Sequence, residues 1–538
     1  GAITLTNACN NFGAASLTTS GTDNATLYDA ASLTITGATV GGNLALTGGG
    51  AIGQSGAIYT HALSVTASNG SVTLANAGNT FDTLVLVASG DASVHDASAL
   101  SVTSANVGGD LTLSGGAAIT QTGAIDADAL IASTTGGAIT LINSGNTFDT
   151  ANVATSGAYD ATLYDASNLV MTGANVGGTL TLSGGGSIGQ SGAIIAHALN
   201  VTTTNGAIAL GNTGNAFATA ALSTSGTDDA TLYDASALTI TSANIGGDFT
   251  LSGGASIGQS GAIHSATLNV SSSSGPISLT NTGNNFGPVY VATGGANDAA
   301  LYNAPDLTLT GADVGGMLTL SSGGSILQTG AIHAGALNAT TTNGDIVLSN
   351  TGNAFATAVL STSGADDATL YDASNLIVSS ANIGGTLNLS GAGTIGQSGA
   401  ILAAALNVAT TGGAITLTNT GNNFATASLA TGGTDDASLY DASDLTVTSA
   451  NVGGTLNLSG GGAVSQSGAI HSNGLNVTAT GAITLANTGN TFATASLSTP
   501  GGATLYDAAN LTGTGATVGG TLALSVGGSI GQSGAIHA

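Results

Sequence analysis

The step GAITLTNACNNF at Gly1 returns along the chain as GSVTLANAGNTF at Gly70, GAITLINSGNTF at Gly137 and GAIALGNTGNAF at Gly206. It continues as GPISLTNTGNNF at Gly275, GDIVLSNTGNAF at Gly344, GAITLTNTGNNF at Gly413 and GAITLANTGNTF at Gly481. The period is 67 to 69 residues, eight times over. Self-similarity at that spacing replaces the roughly three or four globular domains expected of 538 residues with one repeating architecture. The repeats divide as 1–69, 70–136, 137–205, 206–274, 275–343, 344–412, 413–480 and 481–538, within a single continuous element.

Within each repeat come a turn such as Ser225 to Ala230 (SGTDDA), then ATLYDAS, LTITSANIGG, TLTLSGGGSIGQSGAI and LNVTTTNG. Runs such as Thr179-Leu180-Thr181-Leu182 alternate apolar with hydroxyl residues. That period of two marks strands with one buried face, separated by Gly, Asn, Asp and Ser clusters. No helical stripe exceeds two turns, and Gly with β-branched Thr disfavours one. Short strands that repeat without helices close a core by winding as an all-β parallel β-helix, a β-solenoid. A turn of about 20 to 25 residues puts three turns in a repeat, with two or four left open. Three give roughly 24 turns and a rod on the order of 115 Å long, at about 4.8 Å per turn.

Hydrophobic residues make up 42% of the chain but aromatics only 4%, which suits a narrow core of Leu, Ile, Val and Ala. Leu180, Leu182, Ile3 and Leu5 are expected to line it. There is no Lys or Arg, and all 27 acidic residues are Asp, so no salt bridge between side chains of those types forms. Stability must come from backbone hydrogen bonds and apolar burial, while the charge of −27 is spaced out or met by cations. Nucleic acid is excluded as a partner, because nothing neutralises phosphates, and acidic lipid surfaces are disfavoured alike. Nor is insertion into a membrane expected, since no stretch of about 18 apolar residues occurs. The single Cys9 stands where other repeats carry Gly and reads as a drifted small residue.

Rows of equivalent residues follow from the period. Phe12, Phe81, Phe148, Phe217, Phe286, Phe355, Phe424 and Phe492 are expected to fill a corner of the core. Asn7, Asn76, Asn143 and their counterparts form one row, Asn10, Asn79 and Asn146 another. Both read as corner fixtures, since Asn tolerates left-handed backbone and bonds its own main chain. Tyr28, Tyr164, Tyr233, Tyr302, Tyr371, Tyr440 and Tyr506 recur, with His95 in the second repeat. With three turns per repeat they stand about 14 Å apart, too far for stacked rings. The carboxylates that follow them, Asp29, Asp96, Asp165, Asp234, Asp372, Asp441 and Asp507, are largely screened from one another at that spacing. Asp228-Asp229, Asp366-Asp367 and Asp435-Asp436 each put two carboxylates in one turn, a candidate Ca²⁺ position beside the plainer reading of a solvated acidic turn. No other cofactor is expected. The histidines, His61, His95, His197, His264, His333, His471 and His537, lack partners at metal-ligand spacing and read as exposed loop residues.

The segments GAITLTNTGNNF, GGTLTLSGGGSIGQSGAI and LNVTTTNGAIAL resemble the repeats of large bacterial exoproteins of the filamentous-haemagglutinin type. That resemblance covers the whole chain and implies a right-handed β-helix, exported by two-partner secretion to the surface of a Gram-negative cell. The family's Asn-Pro-Asn secretion motifs are not present: the prolines are Pro276, Pro288, Pro305 and Pro500, in other contexts. No catalytic or receptor-binding residue carries over.

Three classes of function compete. A β-helical enzyme acting on acidic sugars needs basic residues, and a catalytic site breaks a repeat locally, whereas these repeats are nearly interchangeable. The chain is therefore not expected to be an enzyme. An ice-binding solenoid needs Thr pairs on every turn of one face, and steps such as Thr34-Ile35-Thr36 and Thr308-Leu309-Thr310 recur about once per repeat. The remaining class is an extracellular fibre or cell-surface rod, an adhesin shaft or biofilm-matrix filament, with a calcium-dependent adhesive or ice-binding solenoid as the alternative. The chain opens on a standard GAITLTN step without an initiator Met or signal segment, and stops at SGAIHA. Neither terminus looks like a cap, so a processed or longer protein is expected, self-associating end to end or laterally. A host or matrix surface would be met by regions outside this chain.

Overall fold

Strands of two to sixteen residues account for every regular element of the protein, and there is no helix. The structure, a computed structural model, describes residues 1–538. The chain forms two compact units, Gly1–Asn269 and Val270–Ala538. Each is a parallel β-solenoid, and the chain has about 27 turns.

In the first unit, Ile3–Leu5, Ala25–Asp29, Asn43–Gly48 and Ala62–Ala67 stack in one column, each pairing in parallel with the next. The strands between them, Ala14–Thr18, Leu33–Thr39, Ile52–Gln54 and Val72–Leu74, stack in a second column. The chain crosses from one column to the other between these strands; Ile58–Tyr59 is no crossing, since it pairs with Leu33–Thr39 as Ile52–Gln54 does, and long strands such as Leu169–Gly184 run through both columns. A repeat contains seven such crossings, and seven is odd. The next repeat therefore begins on the opposite side: Ile3 lies in one column and its equivalent Val72 in the other.

From Ile3 the column passes through Ala25, Leu44, Leu63, Leu84 and Val102, then Ile119, to Ile139, seven turns for two repeats. The second unit repeats the pattern, from Ile346 through Ala368, Leu387, Leu406, Ala427 and Val447, then Val464, to Ile483. Each repeat therefore winds three and a half turns, not the expected three. Register partners along these columns are 18 to 22 residues apart, fewer than the 23 a three-turn repeat needs. Equivalent residues return to the same side after seven turns, about 34 Å, rather than every 14 Å.

Inward positions carry the core. Leu180 and Leu182 are fully buried, and so are the phenylalanines from Phe81 to Phe492. Phe12 and Leu5 are exposed and Ile3 half-buried, because the Ile3–Leu5 strand pairs on one side only. Corners depend on glycine at two places. Gly226 has φ +57°, a left-handed angle that favours Gly, and the next turn passes so close that a Cβ on Gly246 would lie 1.9 Å from the Gly226 carbonyl oxygen. No residue other than Gly has positive φ, so the Asn rows do not hold left-handed corners. Their amides do different work.

Candidate functional site

The chain's polar chemistry concentrates at the corner after each GAIT strand. There Asn76 accepts from the Gly78 amide at 2.9 Å, an Asx turn repeated at Asn143, Asn212, Asn281, Asn350, Asn419 and Asn487. Asn7 makes the same bond to Cys9, so Cys9 replaces Gly without loss of the turn. This row is the local fixture expected of it.

Three residues further on, Asn79 is fully buried and belongs to a different system. Its Oδ1 accepts from Gln54 Nε2 at 2.8 Å and from the Ile58 amide at 2.9 Å. Its Nδ2 donates to Gln54 Oε1, the Leu74 carbonyl and the His95 carbonyl. One amide thus ties together neighbouring turns. The pair recurs as Gln121–Asn146, Gln190–Asn215, Gln328–Asn353, Gln397–Asn422 and Gln466–Asn490. The glutamines were not singled out by the sequence. Their signal is the fixed separation: Gln precedes its Asn by 25 residues in all of these but the last, where it is 24.

The Asp row is buried, not exposed as a screened surface row would be. Asp165 Oδ2 accepts from the Phe148 amide at 2.6 Å, while Oδ1 accepts from the Ser167 amide and hydroxyl. Asp96, Asp234, Asp372 and Asp441 repeat the arrangement. Burial raises the Asp165 carboxyl above its ordinary value, partly offset by the bonds from Ser167 and Phe148, and nearby Asp149 raises it further. In the fifth repeat Asn303 takes the place of Asp. Its Oδ1 accepts from the Phe286 amide at 3.1 Å, and its Nδ2 donates to the carbonyls of Phe286 and Asp306. In the eighth, Ala509 stands where Ser167 does, and Asp507 Oδ2 is buried without a donor. A shallow groove of about 370 Å³ lies there, lined by Ser472, Asn473, Thr491 and Asn510 among others.

The paired carboxylates sit in turns, the first of each pair half-buried and the second exposed. Asp229, Asp367 and Asp436 each accept, through Oδ1, from a backbone amide one turn on: Asp248, Thr386 and Thr455, at 2.6 to 2.8 Å. Asp228 and Asp366 accept from Gly206 and Gly344, each at 2.8 Å, and Asp435 lies beside Asp436. These oxygens bridge turns. No group of three or more His, Cys or Asp converges within reach of one metal ion.

Ion pairs form without Lys or Arg. The amino group of Gly1 lies 2.8 Å from Asp23, and His61 Nδ1 lies 2.6 Å from Asp82, paired when the ring is protonated. Several histidines stand on strands rather than loops, among them His264, His333 and His471. Tyr28 and Tyr164 share a column two repeats apart, and His95 lies in the other column between them. No ring stack runs along the chain at that spacing.

A family model described as repeats of unknown function (DUF5649) matches residues 22–88, 89–155, 158–224, 227–293, 296–362, 365–431 and 434–499. Its repeat has the same period as the GAIT steps, with the origin moved to the acidic turn. No curated protein and no solved structure matches the chain.

Proposed function

The chain belongs to this family of repeats, and from its solenoid we infer a structural rod: a passive spacer whose repeats set its reach. The observation that carries this reading is where the buried polar groups go. Asn79, Asn215 and Asp165, which would be the expensive and chemically interesting groups of an active site, are all committed to bonds between turns. The same commitments recur in most repeats; the fifth keeps them with Asn303 in place of Asp, and the eighth departs from them at Asp507 Oδ2.

The finer proposal is a shaft or matrix filament outside the cell, in keeping with the resemblance to haemagglutinin-type exoproteins. A polyanion without Lys offers nothing to trypsin-like proteases, which suits that setting. An ice-binding role is less well supported, because Thr34-Ile35-Thr36 and its equivalents return to one face only every seven turns.

Electron microscopy of the purified chain tests the reading. Elongated particles are expected, and deleting two repeats should shorten them by about 34 Å, seven turns at about 4.8 Å. Compact particles, or a length indifferent to the deletion, would overturn it.

A further inference from the structure

The unit Val270–Ala538 keeps its charge away from the flat sides of its solenoid. Of its carboxylates, Asp372, Asp441 and Asp507 are buried, and only Asp313 stands outward on a strand; the others are in turns. The outward side chains of the long strands are instead mostly Thr, Ser, Asn, Ala and Tyr, with His333, His471 and the apolar Met317, Ile377 and Leu402 among them.

Several of these form hydrogen-bonded ladders up the stack. On one side, Asn388 donates to Thr369 at 3.3 Å, Asn407 to Asn388 at 2.8 Å, and the hydroxyls of Ser428 and Ser449 meet at 2.7 Å. On the other, Asn457 donates to Ser438 at 3.1 Å and Asn476 to Asn457 at 2.8 Å. The side chains are fixed in register with the backbone below them. Each ladder amide retains an N–H that the ladder does not use.

We propose that these two faces, with Asp313 as their one outward carboxylate, are the surfaces through which one copy of this chain docks on another, face to face. The inference rests on reading the chain as a structural rod. Three observations select a second copy as the occupant. A chain of charge −27 with no Lys or Arg meets its own kind with least repulsion where carboxylates are sparsest. The face is large enough: strands of about five residues over some 13 turns give on the order of 1,000 Å² per unit, against about 800 Å² per partner in a stable interface. And because seven crossings make a repeat, both sides carry the same kinds of strand in alternation. Association therefore continues on the far side of each copy and builds layers.

Light scattering and electron microscopy of the full chain, titrated with NaCl and separately with CaCl₂, provide the test. Salt of either kind should promote layering, since screening removes the residual repulsion between edges. The double variant Asn407→Asp/Asn476→Asp puts charge on both faces and should raise the concentration needed for layering at least about tenfold. Ala365→Asp/Thr434→Asp adds the same charge in turns and should leave it nearly unchanged; circular dichroism checks that both variants fold. Layering that responds only to CaCl₂, or equally to both variants, would overturn the face contact, as would elongated particles that never pair. That last result would leave the rod reading standing, whereas compact particles would remove both.

Discussion

Gln54 and Asn79 meet amide to amide, each donating to the other at 2.8 Å, in a corner where Asn79 has no exposure to solvent. Such a pair satisfies four hydrogen-bonding groups at once and leaves the rest of the Asn amide to the backbone. It explains how a chain without a large aromatic core holds its turns in register: buried polar groups that find every partner specify one arrangement.

Asn215 is the cleanest place to break this. Asn215→Ala strands the Gln190 amide, the Ile194 N–H and the carbonyls of Leu210 and Tyr233. Since each buried group left unpaired costs about 1 to 3 kcal/mol, local stability should fall by at least about 3 kcal/mol. Asn200→Ala, on the outward side, should cost under about 0.5 kcal/mol. Hydrogen exchange at the Ile194 amide reports both.

The buried Asp165 gives a pH dependence of definite sign. Its carboxyl is raised above the ordinary 3.8, chiefly by burial, so the folded corner holds the proton more tightly than the unfolded chain does. Its contribution to stability is fully present below 3.8 and is lost as pH rises through the folded value. Acid should therefore not loosen this corner. Asn303 shows how a neutral group fits, donating to the Phe286 carbonyl where a protonated Asp165 would face that of Phe148. Exchange at the Phe148 amide should be at least as slow at pH 3 as at pH 7, after correction for intrinsic rates. In Asp165→Asn this pH dependence should flatten. Opening of the wild-type corner in acid would contradict the assignment.

Glycines should sort by what lies beyond them. Gly246→Ala drives a Cβ to 1.9 Å from backbone, which cannot give, and should cost at least about 2 kcal/mol. Gly189→Ala meets nothing within 4 Å and should be neutral or stabilising by up to about 1 kcal/mol. Urea midpoints of the two variants make the comparison.

The alternating Thr-Leu runs were enough to read strands, parallel stacking and the buried leucines, because a period of two leaves no other way to bury one face. The winding was not legible. Whether a repeat holds three turns or three and a half depends on how tightly each corner bends, and Gly226 against Gly246 makes them tighter than usual. The Asp row looked like surface because Asp is seldom fully buried. Only the fold brings the Phe148 and Ser167 amides to Asp165. The paired carboxylates in the turns were visible as a pattern, but their bonds to amides one turn on, as from Asp229 to Asp248, needed the three-dimensional register.

Within each unit, seven crossings per repeat place equivalent residues on alternating sides. Spin labels at Thr26, Ser93 and Thr162, equivalent outward positions of three successive repeats, measure this directly by pulsed dipolar spectroscopy. Thr26 and Thr162 share a column seven turns apart, and Ser93 lies in the other column. The account predicts about 34 Å between the outer two backbone sites. It also predicts that Ser93 lies well off the line joining them, so that its two distances sum to clearly more than that span. Three collinear sites, spaced about 14 Å apart as a three-turn repeat would place them, would contradict it.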